Sequence, residues 1–117
     1  MARGWGIGAC MAAGVMASGC HSLPAGKPVS QLTPREAAGR AVFVASCARC
    51  HNAYTTDPLH GPSLYGVFRK PALPSGAAPT DERVEDVILH GRGMMPPAGD
   101  DLTEEQMQAL LRYLHTL

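Results

Sequence analysis

The 117-residue sequence is poor in aromatic side chains and has no excess of charge of either sign. Phe, Trp and Tyr together supply 5% of the residues, and much of the 45% hydrophobic content is alanine. A small domain with so few large side chains commonly needs a disulfide, a metal or another added hydrophobic body to complete its core. Ten basic side chains balance ten acidic ones, so no strong positive field favours a nucleic-acid partner. These features predict one small domain that contains a cofactor and binds no nucleic acid.

The N-terminal region has no hydrophobic run long enough for a permanent membrane-spanning helix. Arg3 is followed by an uncharged, weakly apolar run over residues 4–16, which is typical of a secretory signal peptide. Residues 17–20, Ala-Ser-Gly-Cys, resemble the bacterial lipobox, in which small residues precede a cysteine that is lipidated. We therefore predict a lipoprotein signal peptide over residues 1–19, which is removed, and a mature chain that begins at lipidated Cys20. Plain cleavage near that cysteine is the alternative.

The mature chain is predicted to consist of a flexible linker over residues 20–32 and a folded domain over residues 33–117. The linker is predicted from Pro24, Gly26 and Pro28, which interrupt polar neighbours that have no apolar period. The lipidated cysteine would tether the domain to a membrane, because the several acyl chains of a bacterial lipoprotein hold it firmly.

Local signals in the domain predict an all-α fold, with no convincing strand. Each of three helices begins at a capping threonine and carries apolar residues at helical spacing. The capping residues are Thr33, Thr80 and Thr103. The first helix is predicted to continue to Ser46, the second to cover residues 81–90 and the third to occupy the C-terminal end. Residues 57–80 contain so many prolines and glycines that long regular structure is excluded there.

Cys47, Cys50 and His51 form the Cys-x-x-Cys-His pattern of covalent haem attachment. In this pattern both thiols add to neighbouring vinyl groups of one haem, and the histidine lies beneath the iron. A structural disulfide, a redox-active pair and half of a zinc site are the alternatives. A zinc site needs a second ligand pair, whereas the other cysteines, Cys10 and Cys20, belong to the export signal. No βαβ pattern supports a redox-active pair. We therefore expect one haem c, attached covalently through the two cysteines.

The sixth ligand of the iron decides between electron transfer and the binding of gas. Met94 and Met95 lie between Gly93 and a pair of prolines, so they are not on a helical face. This segment resembles the Met-Pro loop that supplies a thioether ligand in small class I cytochromes c. Met95 directly precedes a proline and is the predicted ligand, with His51 as the fifth. Met94 and His90 are the alternatives.

The sequence from residue 33 to residue 117 resembles the class I cytochromes c in its helices as well. Residues 39–43, Gly-Arg-Ala-Val-Phe, are similar to the family's Gly-x-x-x-Phe on the first helix. Residues 110–114, Leu-Leu-Arg-Tyr-Leu, are similar to Leu-x-x-Tyr-Leu on the last. The resemblance implies the cytochrome c fold, in which three to four helices pack around one covalently attached haem and these two helices cross.

Residues 61–66, Gly-Pro-Ser-Leu-Tyr-Gly, resemble the family's Gly-Pro-x-Leu-x-Gly loop. In that loop the proline carbonyl accepts a hydrogen bond from the haem histidine, which implies that Pro62 orients His51. In this family an arginine lies close to the haem propionates. Arg69 is near the corresponding position in this sequence, although the spacing before it is one residue shorter than in the family.

Ligation by both His51 and Met95 would leave the iron no open position for a substrate, which implies an electron carrier and not an enzyme. We expect no catalytic residues and a monomer on the periplasmic side of a bacterial membrane. Its redox partners would be proteins such as a dehydrogenase, cytochrome bc1, or a terminal oxidase or reductase. A haem subunit of a larger dehydrogenase or oxidase complex is one alternative. The other is a ligand-binding haem sensor or peroxidase-like enzyme, which needs an open sixth site.

Overall fold

The computed structural model describes residues 24–117. The predicted signal peptide over residues 1–19 and the predicted lipidation of Cys20 lie outside these residues. Within them there are three α-helices, which we name α1 (Pro34–Ser46), α2 (Asp81–His90) and α3 (Glu104–Leu114). Short 3-10 turns occur at Val29–Gln31 and Val67–Arg69. The predicted all-α fold is confirmed for the described part of the chain, which contains no strand.

The helices begin where local capping chemistry places them. Thr33 accepts a hydrogen bond from the backbone N–H of Glu36 at 3.3 Å, and the Glu36 carboxylate accepts one from the Thr33 N–H at 2.7 Å. Thr103 and Gln106 form the same reciprocal box at the start of α3. Each cap satisfies backbone donors that have no partner inside the helix, which stabilises the helix by about 1 kcal/mol.

Helices α1 and α3 pack against each other at a glycine. Gly39 of α1 lies so close to Ala109 of α3 that a Cβ atom at position 39 would stand 2.5 Å from the Ala109 carbonyl carbon. One turn away, the rings of Phe43 and Tyr113 pack with their centroids 5.5 Å apart. Both rings are almost completely buried. The crossing therefore supplies much of the aromatic area of the core.

One hydrophobic core joins all three helices. Val84 and Ile88 of α2 are buried in the same cluster as Leu110 and Leu114 of α3. Leu110 has no exposed surface. On one side, however, the core borders a large cavity whose wall includes these four side chains. Helices α2 and α3 thus form part of the wall of that cavity.

Residues 24–32 lie against the folded domain, although the sequence predicts a flexible linker there. The backbone N–H of Lys27 donates to the Thr116 carbonyl at 2.7 Å, and the Lys27 ammonium lies 2.7 Å from the Glu36 carboxylate. Gly26 approaches the C-terminal backbone closely, since a Cβ there would be 2.9 Å from the Thr116 carbonyl oxygen. We call residues 24–32 the N-terminal strap. Its contacts join residues far apart in sequence, so no local pattern reveals them.

Candidate cofactor site

The cavity has a volume of about 560 Å³ and walls that are mostly apolar. Its lining comes from Cys47 and His51, which follow α1, and from residues 62–74, one face of α2, residues 92–95 and α3. This size lies within the range of sites that bury small organic molecules. No buried side-chain nitrogen or oxygen atom among the described residues lacks a hydrogen-bond partner. The cavity therefore favours a largely apolar ligand.

The Cys-x-x-Cys-His segment continues from the last turn of α1. Cys47 is the residue that caps this helix, and its carbonyl accepts hydrogen bonds from the backbone N–H groups of Cys50 and His51 at 3.0 and 2.9 Å. Cys47 and His51 line the cavity, whereas Cys50 is exposed, and no disulfide joins the two cysteines. Burial raises the pKa of Cys47 to about 11, with a further contribution from Cys50. Without a cofactor this sulfur is therefore protonated at neutral pH.

The ring of His51 is held in one orientation by the loop that follows. Its Nδ1 atom lies 2.8 Å from the Pro62 carbonyl oxygen. Because a carbonyl can only accept, Nδ1 carries the proton and Nε2 keeps its lone pair free for a metal. Gly61 allows this approach, since a Cβ there would stand 2.6 Å from Cε1 of the ring. The backbone N–H of Gly61 in turn donates to the Cys50 carbonyl at 2.8 Å.

The two adjacent methionines have different environments. Met95 is half-buried and lines the cavity, whereas Met94 is fully exposed. Two backbone hydrogen bonds between Arg92 and Met95, of 3.1 and 3.0 Å, close a tight turn that carries Met94 at its tip. Gly93 in this turn has a positive φ of 57°. Turn geometry, and not side-chain chemistry, therefore separates the two thioethers.

Two cationic side chains, Lys70 and Arg92, line the mostly apolar wall. The Lys70 ammonium donates to the Ser63 carbonyl at 2.6 Å, and its partial burial lowers its pKa. Sequence comparison with the family pointed instead to Arg69, whose guanidinium donates to the Pro24 carbonyl at 2.8 Å on the strap. Neither Lys70 nor Arg92 is predicted from the sequence as a residue of the cavity. One signal in the sequence points to Lys70. The spacing that places the family arginine near position 69 is one residue short, so the next residue is also a candidate.

The remaining histidines of the described chain do not line the cavity. His90 is exposed and lies 3.0 Å from the Asp86 carboxylate on its own helix. His115 lies 2.6 Å from the Asp81 carboxylate and stacks on Phe68 at a centroid distance of 3.7 Å. No group of three or more His, Cys, Asp or Glu side chains in residues 24–117 could hold a metal ion. A zinc centre of clustered side chains therefore has no support in this range.

The chain matches a known family along most of its folded part. Residues 34–114 match the family described as cytochrome C oxidase, cbb3-type, subunit III. The sequence is also 32% identical over 78 residues to cytochrome c6 of Leptolyngbya boryana, a match that covers 67% of this chain and 87% of that relative. The protein belongs to the c-type cytochrome family.

Other relatives agree with this assignment. A cytochrome c-553-like protein of Synechocystis sp. is 35% identical to this cytochrome over 82 residues, which cover 68% of this chain and 66% of that relative. The fold is similar to that of cytochrome c6 from the diatom Phaeodactylum tricornutum, with a TM-score of 0.52 and 24% identity. That match covers 68% of this chain and 90% of the diatom chain.

The expected cofactor is confirmed by this membership. The cytochrome carries one haem c, attached covalently through Cys47 and Cys50. The residues of the cavity fit the group, because an imidazole with a free nitrogen and a thioether project into an apolar space of suitable size. The protein is thus a monohaem electron-transfer cytochrome of the class I type.

Proposed function

We propose that this cytochrome is a membrane-tethered electron carrier whose haem iron is held by His51 and Met95. The observation that carries the proposal is that both side chains line one cavity, while Met94 is fully exposed. When bound, the haem supplies an iron that exchanges single electrons. If both residues bound the iron, no position would remain for a substrate, which favours a carrier over a sensor or an enzyme.

The side chains around the cavity have distinct tasks in this proposal. His51 presents Nε2 to the iron because Pro62 accepts from the opposite ring nitrogen, and this bond also raises the basicity of the ligand. The apolar wall excludes water and favours the less charged ferrous state. Lys70 and Arg92 would pair with the carboxylates of the haem, because they are cations on the cavity wall.

The ligand proposal is tested by replacing each methionine in turn. Met95→Ala should abolish the weak near-infrared absorption band of a ferric His/Met haem and lower the reduction potential, because water or hydroxide favours ferric iron. Met94→Ala is the matched control and should leave both unchanged. Loss of the band in the Met94 variant alone would contradict the assignment. Rapid binding of carbon monoxide by the unaltered protein would replace the carrier with a ligand-binding sensor.

The proposed location is the periplasmic side of a bacterial membrane, with lipidated Cys20 as the tether. It is supported by the lipobox-like residues 17–20, which follow a typical signal sequence. No helix within residues 24–117 is long and apolar enough to span a membrane. Cys20→Ser should move the protein from the membrane fraction to the soluble periplasmic fraction. Retention of that variant on the membrane would contradict the lipid tether.

A second candidate function is that of a haem subunit in a larger oxidase or dehydrogenase complex. It is favoured by the match of residues 34–114 to the family of cbb3-type oxidase subunit III. Native electrophoresis of gently solubilised membranes, stained for haem, separates the two possibilities. A free carrier should migrate as one small band, whereas a subunit should migrate with a large complex.

A further inference from the structure

The strap changes the point at which the chain leaves the folded domain. The Pro24 carbonyl accepts hydrogen bonds from the Tyr65 hydroxyl at 3.1 Å and from the Arg69 guanidinium at 2.8 Å. The Lys27 backbone and Gly26 then hold the strap to the C-terminal residues, Thr116 among them. The contacts of the folded domain therefore extend back at least as far as Pro24, nine residues before Thr33.

This exit point shortens the tether that the proposed lipid anchor provides. If residues 20–32 were free, an extended chain from Cys20 to Thr33 would reach about 45 Å. With the strap in place, four residue steps separate Cys20 from Pro24, which extend to about 14 Å at most. The domain would then have little freedom to move away from the lipid surface.

We propose that the face around Pro24, Tyr65 and Arg69 lies against the phospholipid surface of the membrane that holds Cys20. The inference rests on the lipidation given under the proposed function. Arg69 is exposed and uses one guanidinium nitrogen for Pro24, so its other N–H groups are available to lipid phosphates. Lys27 contributes little net charge, because it is paired with Glu36.

The segment that holds the strap also contributes to the haem cavity, but through different residues. Leu64, Val67 and Lys70 line the cavity, whereas Tyr65 and Arg69, which alternate with them, bond to Pro24. A second, smaller cavity of about 280 Å³ lies between the strap and the domain, and it shares no lining residue with the haem cavity. The proposed lipid-facing residues Pro24, Tyr65 and Arg69 are therefore distinct from those that line the haem cavity.

The test measures the distance between the haem and the bilayer with two matched insertions. The full mature lipoprotein is placed in phosphatidylethanolamine/phosphatidylglycerol vesicles that contain a lipid with a fluorescent headgroup, which the haem quenches. A Gly/Ser spacer of about ten residues has an end-to-end distance of about 17 Å. We expect the spacer to relieve most of the quenching when it is placed between Leu23 and Pro24. The same spacer between Leu32 and Thr33 should relieve little, because the strap still holds the exit point.

The outcomes separate this inference from the proposal on which it rests. Equal relief by both insertions would overturn the inference, since it means that residues 20–32 act as one free linker. Quenching that neither insertion changes would also overturn it. If the unaltered protein does not associate with vesicles after membrane extraction, the lipidation proposal fails, and the assignment of a lipid-facing surface fails with it.

A second variant tests the strap without lengthening the chain. Gly26→Val places side-chain atoms against the Thr116 carbonyl and should displace the strap, so quenching should fall as it does with the first spacer. Ala25→Val, at an exposed neighbouring position, is the control and should keep the quenching. Hydrogen exchange at the Lys27 amide provides a readout that is independent of lipid. It should accelerate in the Gly26 variant alone, and equal protection of that amide in both variants would contradict the strap.

Discussion

Gly39→Ala should destabilise the cytochrome even though alanine is the better helix former. Replacing glycine inside a helix normally gains about 1 kcal/mol. Here the new Cβ would stand 2.5 Å from the Ala109 carbonyl carbon and 2.9 Å from Cβ of Tyr113, whereas ordinary contact begins at 3.4 Å. The helices would have to move apart, because the nearest atom is the Ala109 carbonyl oxygen, which belongs to the backbone and cannot rotate away.

Overpacking of a core of this kind costs about 3 kcal/mol at the upper end of its usual range. After the gain in helix propensity, the expected net loss is about 2 kcal/mol. For a domain of this size, that loss lowers the Tm by about 8–16 °C. The assay is thermal unfolding of the haem-loaded protein, followed by far-ultraviolet circular dichroism.

Ala38→Gly is the matched control, because Ala38 is the exposed neighbour of Gly39 on the same helix. This substitution should lower the free energy of unfolding only by the difference in helix propensity, about 1 kcal/mol. An unchanged or higher Tm for Gly39→Ala would refute the reasoning, since it would mean that α1 and α3 are not in close backbone contact.

Two further predictions concern the haem histidine and the strap. Gly61→Ala should push the His51 ring from its position, which should cost about 1–3 kcal/mol of stability and change the reduction potential. Pro62→Ala keeps the accepting carbonyl and should change the potential little. Equal shifts of the potential in redox titrations of the two variants would contradict this prediction. Hydrogen bonds from the Lys27 ammonium and the Thr33 N–H lower the pKa of Glu36. These bonds therefore stabilise the folded state fully at pH values above the ordinary glutamate pKa, and this stabilisation is lost as the pH falls through the lowered pKa of Glu36. Lys27→Met should therefore lower the Tm at neutral pH and match the parent in acid, and a Tm gap that is constant with pH would count against the ion pair.

The features that the sequence predicted well depend on residues close together in the chain. Capping boxes join residues three apart, and Thr33 and Thr103 form them as expected. The haem attachment motif is equally local, because the spacing of Cys47, Cys50 and His51 is imposed by the haem itself. These signals were sufficient for the all-α fold, the family and the covalent haem c.

The Met-Pro segment shows how far such local reasoning extends. Its position before Pro96 favoured Met95 over Met94 as the predicted ligand, but the chemistry of the two side chains is identical. Their difference in exposure arises from the turn closed between Arg92 and Met95, and from hydrogen bonds that return the following residues to the end of α2. The assignment of Met95 to the iron stays a prediction that the paired variants test.

Other features of the site depend on contacts between distant parts of the chain. Lys70 and not Arg69 lines the cavity, because Arg69 bonds to Pro24, which lies 45 residues earlier. The strap contains the prolines and glycine that are typical of linkers, yet Gly26 packs against the C-terminal backbone around Thr116. Proline and glycine determine which conformations the local backbone can adopt. The surface against which the strap packs, however, forms only when α1 and α3 come together.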